Sequence, residues 1–329
     1  MNKKYLIALI AGGVLLVGGL TVLKLKSSSI DKVYKEAIAY KSYEFVCNME
    51  MLDNDELKSY QVTTTYASID DQDYYKVELY DKSLNQAQTI VRNVDGVFVL
   101  TPSLNQAFQF KSEWPHNSPK PYIYQSLLSF LDNHKPEKVK DGYIVSGEMS
   151  YENDERVKSQ EVKFDKDLNP VYVNVYDDAG VEIIKLTSTS FKAGQDIQKE
   201  SFQQETIMKE SQNQYTSAAA SLPLYPVALM GSTLSNEKTS TIDHMTNHIL
   251  KFTGEKSFTI IESSSSSNED INIEVVNGEM IDLIDGIAFE GNNQMTYVSS
   301  GVVCALYSND LTKAEMISVL SSMQSSQVK

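Results

Sequence analysis

The chain is poor in the residues that most often carry chemistry. Among 329 residues there are two cysteines, four histidines and a single tryptophan. Cys47 and Cys304 lie far apart in apolar, alternating stretches, as expected of two buried thiols serving as small hydrophobes rather than of a disulfide framework. Positive charge is scarce as well, with 29 Lys and Arg against 44 Asp and Glu. All of the acidic residues and 25 of the basic ones come after residue 26, so that part carries −19. With no basic block to offset it, such a surface repels nucleic acid and anionic headgroups, which excludes a nucleic-acid reader.

Long apolar runs are absent except at the start. Tyr5 to Leu23 is 19 residues without charge, between Lys3-Lys4 and Lys24. As a helix it would rise about 28 Å, enough to cross the hydrocarbon layer. The run lacks a small-x-small cleavage site, so the expectation is an uncleaved anchor over residues 1–26 rather than a removed signal peptide. The body is then expected outside the cytosol, at the cell membrane, on a single span. Lysines on both flanks leave the orientation to this assumption.

The chain beyond this run is rich in strand periodicity. Ile30, Val33, Tyr34, Ala37 and Ile38 first form one helical stripe after Ser29. Tyr43, Phe45, Cys47, Met49 and Met51 then alternate with Glu44, Asn48 and Glu50, the pattern of a strand with one buried side. Similar segments recur to Phe191, separated by short acidic turns such as Asp70-Asp71, Asp95-Gly96 and Asp177-Asp178, with no βαβ alternation. This predicts an antiparallel meander over 29–198 and no parallel sheet. One helix interrupts it, predicted to start at Ser118-Pro119 and to stop at Pro136, with Ile123, Leu127, Phe130 and Leu131 as its stripe.

Residues 199–221 turn polar and Gln-rich and are expected to be a helical linker. A smaller α+β unit is predicted over 222–325: a helix at Thr241 to Phe252, strands around SFTIIE, INIEVV and VVCALY, a solvated loop at Ser263 to Ser267, and a last helix. Thr312 and Glu315 form a capping box there, and Leu311 with Met316 fits a hydrophobic staple.

Catalytic motifs are missing. His244 and His248 have helical metal-binding spacing, but Met245 stands where a zincin needs glutamate, so no metal site is expected. Gly231-Ser232 lacks the second glycine of a nucleophile elbow, and Gly254 to Ser257 lacks the first glycine of a phosphate loop. No cofactor motif is present. A pair of glycosidase carboxylates would be spatial rather than local and leaves no trace in sequence. Apolar surface remains: Phe98, Leu100, Phe108, Phe110, Trp114, Tyr122, Leu127 and Phe130 lie on a hairpin and the helix after it. They are either the core between helix and sheet, or the lining of a cavity under a helical lid that accepts acyl chains or a partner's apolar segment.

The stretches TPSLNQAFQFKSEWPHNSPKPYIYQSLLSFL, LPLYPVAL and GEKSFTIIE resemble the LolA-like proteins of spore-forming Gram-positive bacteria, and most of all their germination lipoprotein group. The ending YSNDLTKAEMISVLSSM is similar to a C-terminal domain of unknown function that often follows LolA-like modules. The resemblance spans nearly all of residues 30–325. It implies a curved antiparallel half-barrel closed by helices, followed by a smaller α+β domain. It also implies a binding role: Gram-negative relatives carry lipoprotein acyl chains or sense envelope stress, and members in spore formers are linked to envelope and cortex maturation through a cell-wall hydrolase. The germination lipoproteins carry a lipidated cysteine after the apolar stretch, whereas the first cysteine here is Cys47. The expectation is therefore a tethered, non-catalytic scaffold, with a carrier of lipid or acyl chains as the alternative.

Overall fold

The computed structural model describes residues 30–53, 56–116, 118–214, 222–242, 245–265, 271–291, 293–299 and 302–325. After helix α1 (30–37) come strands β1 (Ser42–Asp53), β2 (Glu56–Ile69), β3 (Gln72–Asp81), β4 (Gln86–Asn93), β5 (Gly96–Thr101) and β6 (Gln106–Phe110). Helix α2 (Tyr124–Asn133) precedes β7 (Glu137–Val139), β8 (Gly142–Glu148), β9 (Ser159–Asp165), β10 (Pro170–Tyr176), β11 (Glu182–Ala193) and α3 (Gln204–Gln214). The remainder comprises β12 (Leu224–Pro226), β13 (Ser232–Ile242), β14 (Met245–Gly254), β15 (Phe258–Ser265), β16 (Asn272–Val276), β17 (Met280–Asp282), β18 (Gly286–Gly291), β19 (Gln294–Ser299), β20 (Val302–Tyr307), α4 (Lys313–Ser321) and β21 (Met323–Ser325).

These strands form a curved sheet of twelve, a second sheet of seven and the short pair β12–β21. The architecture is α+β, with few helices on large sheets. In the first sheet the order runs β16-β6-β5-β4-β3-β2-β1-β11-β10-β9-β8-β7, so two meanders meet where β1 pairs with β11. Alternation is realised as the sequence predicts: Tyr43, Phe45, Cys47, Met49 and Met51 are buried. The Asp95-Gly96 turn joins β4 to β5, and Gly96 sits at φ +133°, a region open to glycine at no steric cost.

Three local expectations are corrected. Of the expected helix at 241–252, residues 241–242 and 245–252 are not helical but lie in the paired strands β13 and β14, where Ile249 and Leu250 pair with Ile261 and Ile260 of β15. Their spacing suits either period, and a third strand that buries Leu250 and Phe252 decides for the sheet. The sheet is also not wholly antiparallel, because β16 leaves the second unit and pairs in parallel with β6. Finally, α2 starts at Tyr124, six residues beyond Ser118. Pro119 and Pro121 hold their preceding residues extended, and tertiary bonds fix the stretch: Thr64 Oγ1 donates to the Tyr122 carbonyl at 2.8 Å.

Residues 199–214 contain a 3-10 turn, Lys199–Phe202, and then α3, and they bury Phe202, Ile207 and Met208 against Tyr74, Val91, Phe98 and Leu100 on the outer face of the first sheet. The capping box of α4 forms as its sequence predicts, with Thr312 accepting from the Glu315 N–H. Ser263–Ser265 lie in β15, and the rest of that expected loop is outside the described residues. So is the apolar run Tyr5 to Leu23; among the described residues no helix is long and apolar enough to cross a membrane.

Candidate functional site

All eight apolar candidates are buried, none more than 5% exposed, but they do not line one surface. Successive strand residues point to opposite faces, and the β5–β6 register places Phe108 opposite Val99 and Phe110 opposite Val97. Those four face inward. Phe98 and Leu100 face outward and lie under Phe202, Ile207 and Met208. Phe108, Phe110, Trp114, Tyr122, Leu127 and Phe130 share the inner core.

Nor does α2 sit on the β5–β6 hairpin. The Tyr124 ring packs at a tilt against Phe191 at 4.6 Å and edge-to-face with Tyr43 at 5.5 Å, which places the helix over β1 and β11. Tyr43 donates its hydroxyl to Gln125 Oε1 at 2.7 Å, and Tyr124 donates to the Leu168 carbonyl at 2.9 Å. Above the hairpin lies the second unit instead: Phe289 of β18 packs on Phe108 and Phe110 with ring centroids 5.2 and 5.4 Å apart. The inner face is thus largely covered by the chain itself, by α2 over β1 and β11 and by β17 to β20 over β5 and β6.

Polar bonds fix that second cover. Lys58 pairs with Asp285 at 3.4 Å, and Tyr60 and Tyr297 donate to the same carboxylate at 3.1 and 3.0 Å. Burial opposes ionisation of Asp285, yet Lys58 and the two hydroxyls outweigh it and hold the carboxyl below its ordinary range. Lys120 pairs with Asp282 at 3.2 Å and donates to the Leu283 carbonyl. Burial lowers its pKa, while Asp282 opposes the shift. Ser118 donates to Asp282 at 2.6 Å and Tyr122 to the Ile284 carbonyl at 2.9 Å.

Beside this seam lies an open recess of about 870 Å³. Its walls come from the end of β1, the approach to α2, the turn at 150–156 between β8 and β9, the segment 279–285, and α4. Met51, Trp114, Met280, Ile284 and Ile317 make it apolar in part. The basic groups on its walls are committed: Lys120 to Asp282, Arg156 to Asp154 at 2.8 Å, and Lys313 to Glu290 at 3.7 Å. Glu152, Glu155 and Glu279 are exposed at the recess and have no hydrogen-bond or ion-pair partner among the described residues. The sequence offered no sign of this site. The turn at 153–155 reads as an ordinary acidic turn, and the third carboxylate beside it, Glu279, comes from the second unit.

The other reactive groups do not converge. His244 lies outside the described residues, and His248 is in β14, not on a helix, near Thr239 Oγ1 at 3.3 Å. His116 meets the edge of Tyr75, and His134 turns back to the Phe130 carbonyl. Cys47 and Cys304 are free and buried, and burial pushes both thiols up. Glu262 of β15 is fully buried and accepts the Leu224 N–H at 3.0 Å on both oxygens. Burial raises its pKa to about 8, helped by Glu237 and opposed by that N–H.

No family model matches the chain. Among solved structures, a complex of MucA and MucB from Pseudomonas aeruginosa aligns over 89% of this chain and 96% of that one, at 12% identity and a TM-score of 0.33. A domain of Vibrio parahaemolyticus described as an outer membrane lipoprotein-sorting protein aligns over 54% of this chain and 97% of its own, at 12% identity and a TM-score of 0.31. These likenesses are too distant to carry a conclusion. A sequence relative is nearer: sporulation protein YdcC of Bacillus subtilis (strain 168) is 30% identical over 328 residues, which cover 94% of this chain and 96% of that protein. At that identity over nearly the whole length, the chain belongs to the family of sporulation protein YdcC.

Proposed function

We propose that this protein is a membrane-tethered, extracytoplasmic binding protein of sporulating cells, with a LolA-like body that acts by holding a partner rather than by catalysis. The kinship to a sporulation protein supports the setting, and the apolar run Tyr5 to Leu23 supports the tether. The observation that carries the reading is the covered inner face beneath Phe289 and α2. A carrier of acyl chains needs an open apolar cavity, whereas here Phe289 and α2 occupy the ground such a cavity would take. A scaffold needs no internal void. Within this reading the partner is a cell-wall hydrolase, the process is cortex maturation and later germination, and no bound lipid is required.

The test uses full-length protein carrying a C-terminal affinity tag, isolated after cross-linking from sporulating and from vegetative cells. Recovery of one protein in near-equal amount from sporulating cells, without acyl lipid in the organic extract, is the expected result. One acyl chain per protein molecule in that extract would instead establish a carrier. Protease added to intact protoplasts should digest the body, and its protection would overturn the extracytoplasmic placement.

A further inference from the structure

The recess beside the seam has features that packing alone does not require. The turn at 150–156 closes on itself: Tyr151 bridges Asp154, and Arg156 grips Asp154 through Nε at 2.9 Å and Nη2 at 2.8 Å. Arg156 also donates to the Leu52 carbonyl at 3.2 Å, which fastens the turn to the end of β1. With its arginine neutralised in this way, the turn presents Glu152 and Glu155 to solvent beside the recess, and Glu279 belongs to the same walls from the second unit. Three unpaired carboxylates around a partly apolar hollow favour a guest that is cationic and carries apolar groups as well.

A second observation concerns hydrogen bonding. Trp114 and Tyr151 both line the recess and are 2% and 8% exposed, yet neither the Trp114 Nε1–H nor the Tyr151 hydroxyl has a partner among the described residues. Buried donors left unpaired are uncommon and costly. Both atoms are covered by neighbouring atoms, so pairing with a guest requires the 150–156 turn, held to β1 by Arg156, to shift. Peptide carbonyls are acceptors suited to both. The volume, about 870 Å³, exceeds what one side chain or a simple cation fills and falls within the size range of ligand sites.

We propose that this recess binds a Lys- or Arg-bearing extended segment of a partner protein, its apolar side chains on Met280 and Ile317 and its cations at Glu152, Glu155 and Glu279. The assignment rests on the binding role proposed above and gives that role a surface. Because the walls come from both units, the segment bridges them, and its binding reinforces their docking.

Trp114 is the only tryptophan in the chain, so its emission reports on this recess. Full-length protein in a non-ionic detergent is titrated with a capped decapeptide of alternating Lys and Val, with the Glu and Val counterpart as control. The Lys peptide is expected to bind and shift the emission, and the Glu peptide to do neither. Replacing the three recess carboxylates, E152Q with E155Q and E279Q, should weaken binding at least tenfold. The equal charge change on α3 and the turn before it, E200Q with E205Q and E210Q, should leave it within twofold.

Equal weakening by both triple variants would reduce the effect to bulk charge and overturn the proposal. So would binding that leaves Trp114 emission unchanged, or a spermine affinity equal to that of the peptide. All six positions are exposed, and a thermal melt establishes that each variant folds. A partner captured equally by wild type and the recess triple would sink the recess alone and leave the scaffold standing. Stoichiometric acyl lipid with no partner would sink the scaffold itself.

Discussion

The two ends of the twelve-stranded sheet are built by the same rule of alternation and covered differently. At the β8 to β11 end one face is packed and the other meets solvent, so β9 alternates buried and half-buried residues along its length. At the β3 to β6 end both faces are covered, α3 with its preceding turn outside and the second unit inside, and Gln86 to Val91 of β4 are buried without a break. Polar side chains therefore meet different conditions at the two ends: at one, water takes those on the open face, and at the other only protein groups are within reach, so that Gln88 Oε1, Thr89 Oγ1 and Thr101 Oγ1 are left without a partner. The doubly covered end is the one whose failure would free the second unit.

The largest effect is expected there. Phe289→Ala removes the ring between Phe108 and Phe110 and should cost about 3–5 kcal/mol of unfolding free energy, read from urea melts. Phe202→Ala empties the opposite face under α3 and should cost a similar amount. The two sites share no contact surface, so the double variant should lose about the sum of the two. A marked shortfall would mean that outer and inner covers are coupled through the sheet.

A difference in pairing separates two buried carboxylates, and pH exposes it. Glu262 has no basic partner, and its pKa climbs from 4.5 to about 8, chiefly through burial. Between those values the folded chain keeps a proton that the unfolded chain has released. Its contribution is therefore greatest below about pH 4.5 and is lost as pH rises toward 8, by a few kcal/mol. Asp285, held down by Lys58, Tyr297 and Tyr60 against its burial, has the opposite sign and loses stability only in acid. Urea melts of wild type from pH 5 to 9 should decline more steeply than those of Glu262→Gln; parallel curves would contradict the assignment. Asp285→Asn, measured at neutral pH, should cost about 1–3 kcal/mol, since it weakens the bond to Lys58 and unbalances two tyrosine hydroxyls.

The singly covered end was readable from sequence for a physical reason. One solvated face leaves a period of two, as in Ile184, Leu186 and their polar neighbours Lys185 and Thr187. The doubly covered end was readable as strands but not as surfaces: Phe98 and Phe108 look alike in sequence, and only the register sends them to opposite faces. The segment INIEVV shows strand character, yet nothing local reveals that its partner is β6, some 160 residues earlier. At 241–252, Ile242, Met245, Ile249 and Phe252 satisfy helical spacing, and the hairpin partners that overrule it are themselves non-local. The recess is the extreme case, because neither of its two acidic segments means anything without the other.

The smallest effect sharpens the comparison most cleanly, because it sets a polar strand residue at one end against one at the other. Gln88 in β4 is fully buried and donates to the Val298 carbonyl at 2.9 Å, so Gln88→Ala removes a buried bond to the second unit and should cost about 1 kcal/mol, offset in part because it also removes Oε1, which has no partner. Lys185 in β11 lies between the buried Ile184 and Leu186 but points to solvent, where its pairing with Glu182 at 3.9 Å is screened. Lys185→Ala should stay within about 0.5 kcal/mol of wild type, which is about 1–2 °C in a thermal melt. A loss at Lys185 equal to that at Gln88 would mean that its face is covered after all, by a surface of a partner or of a second copy, and the distinction between the two ends would fall.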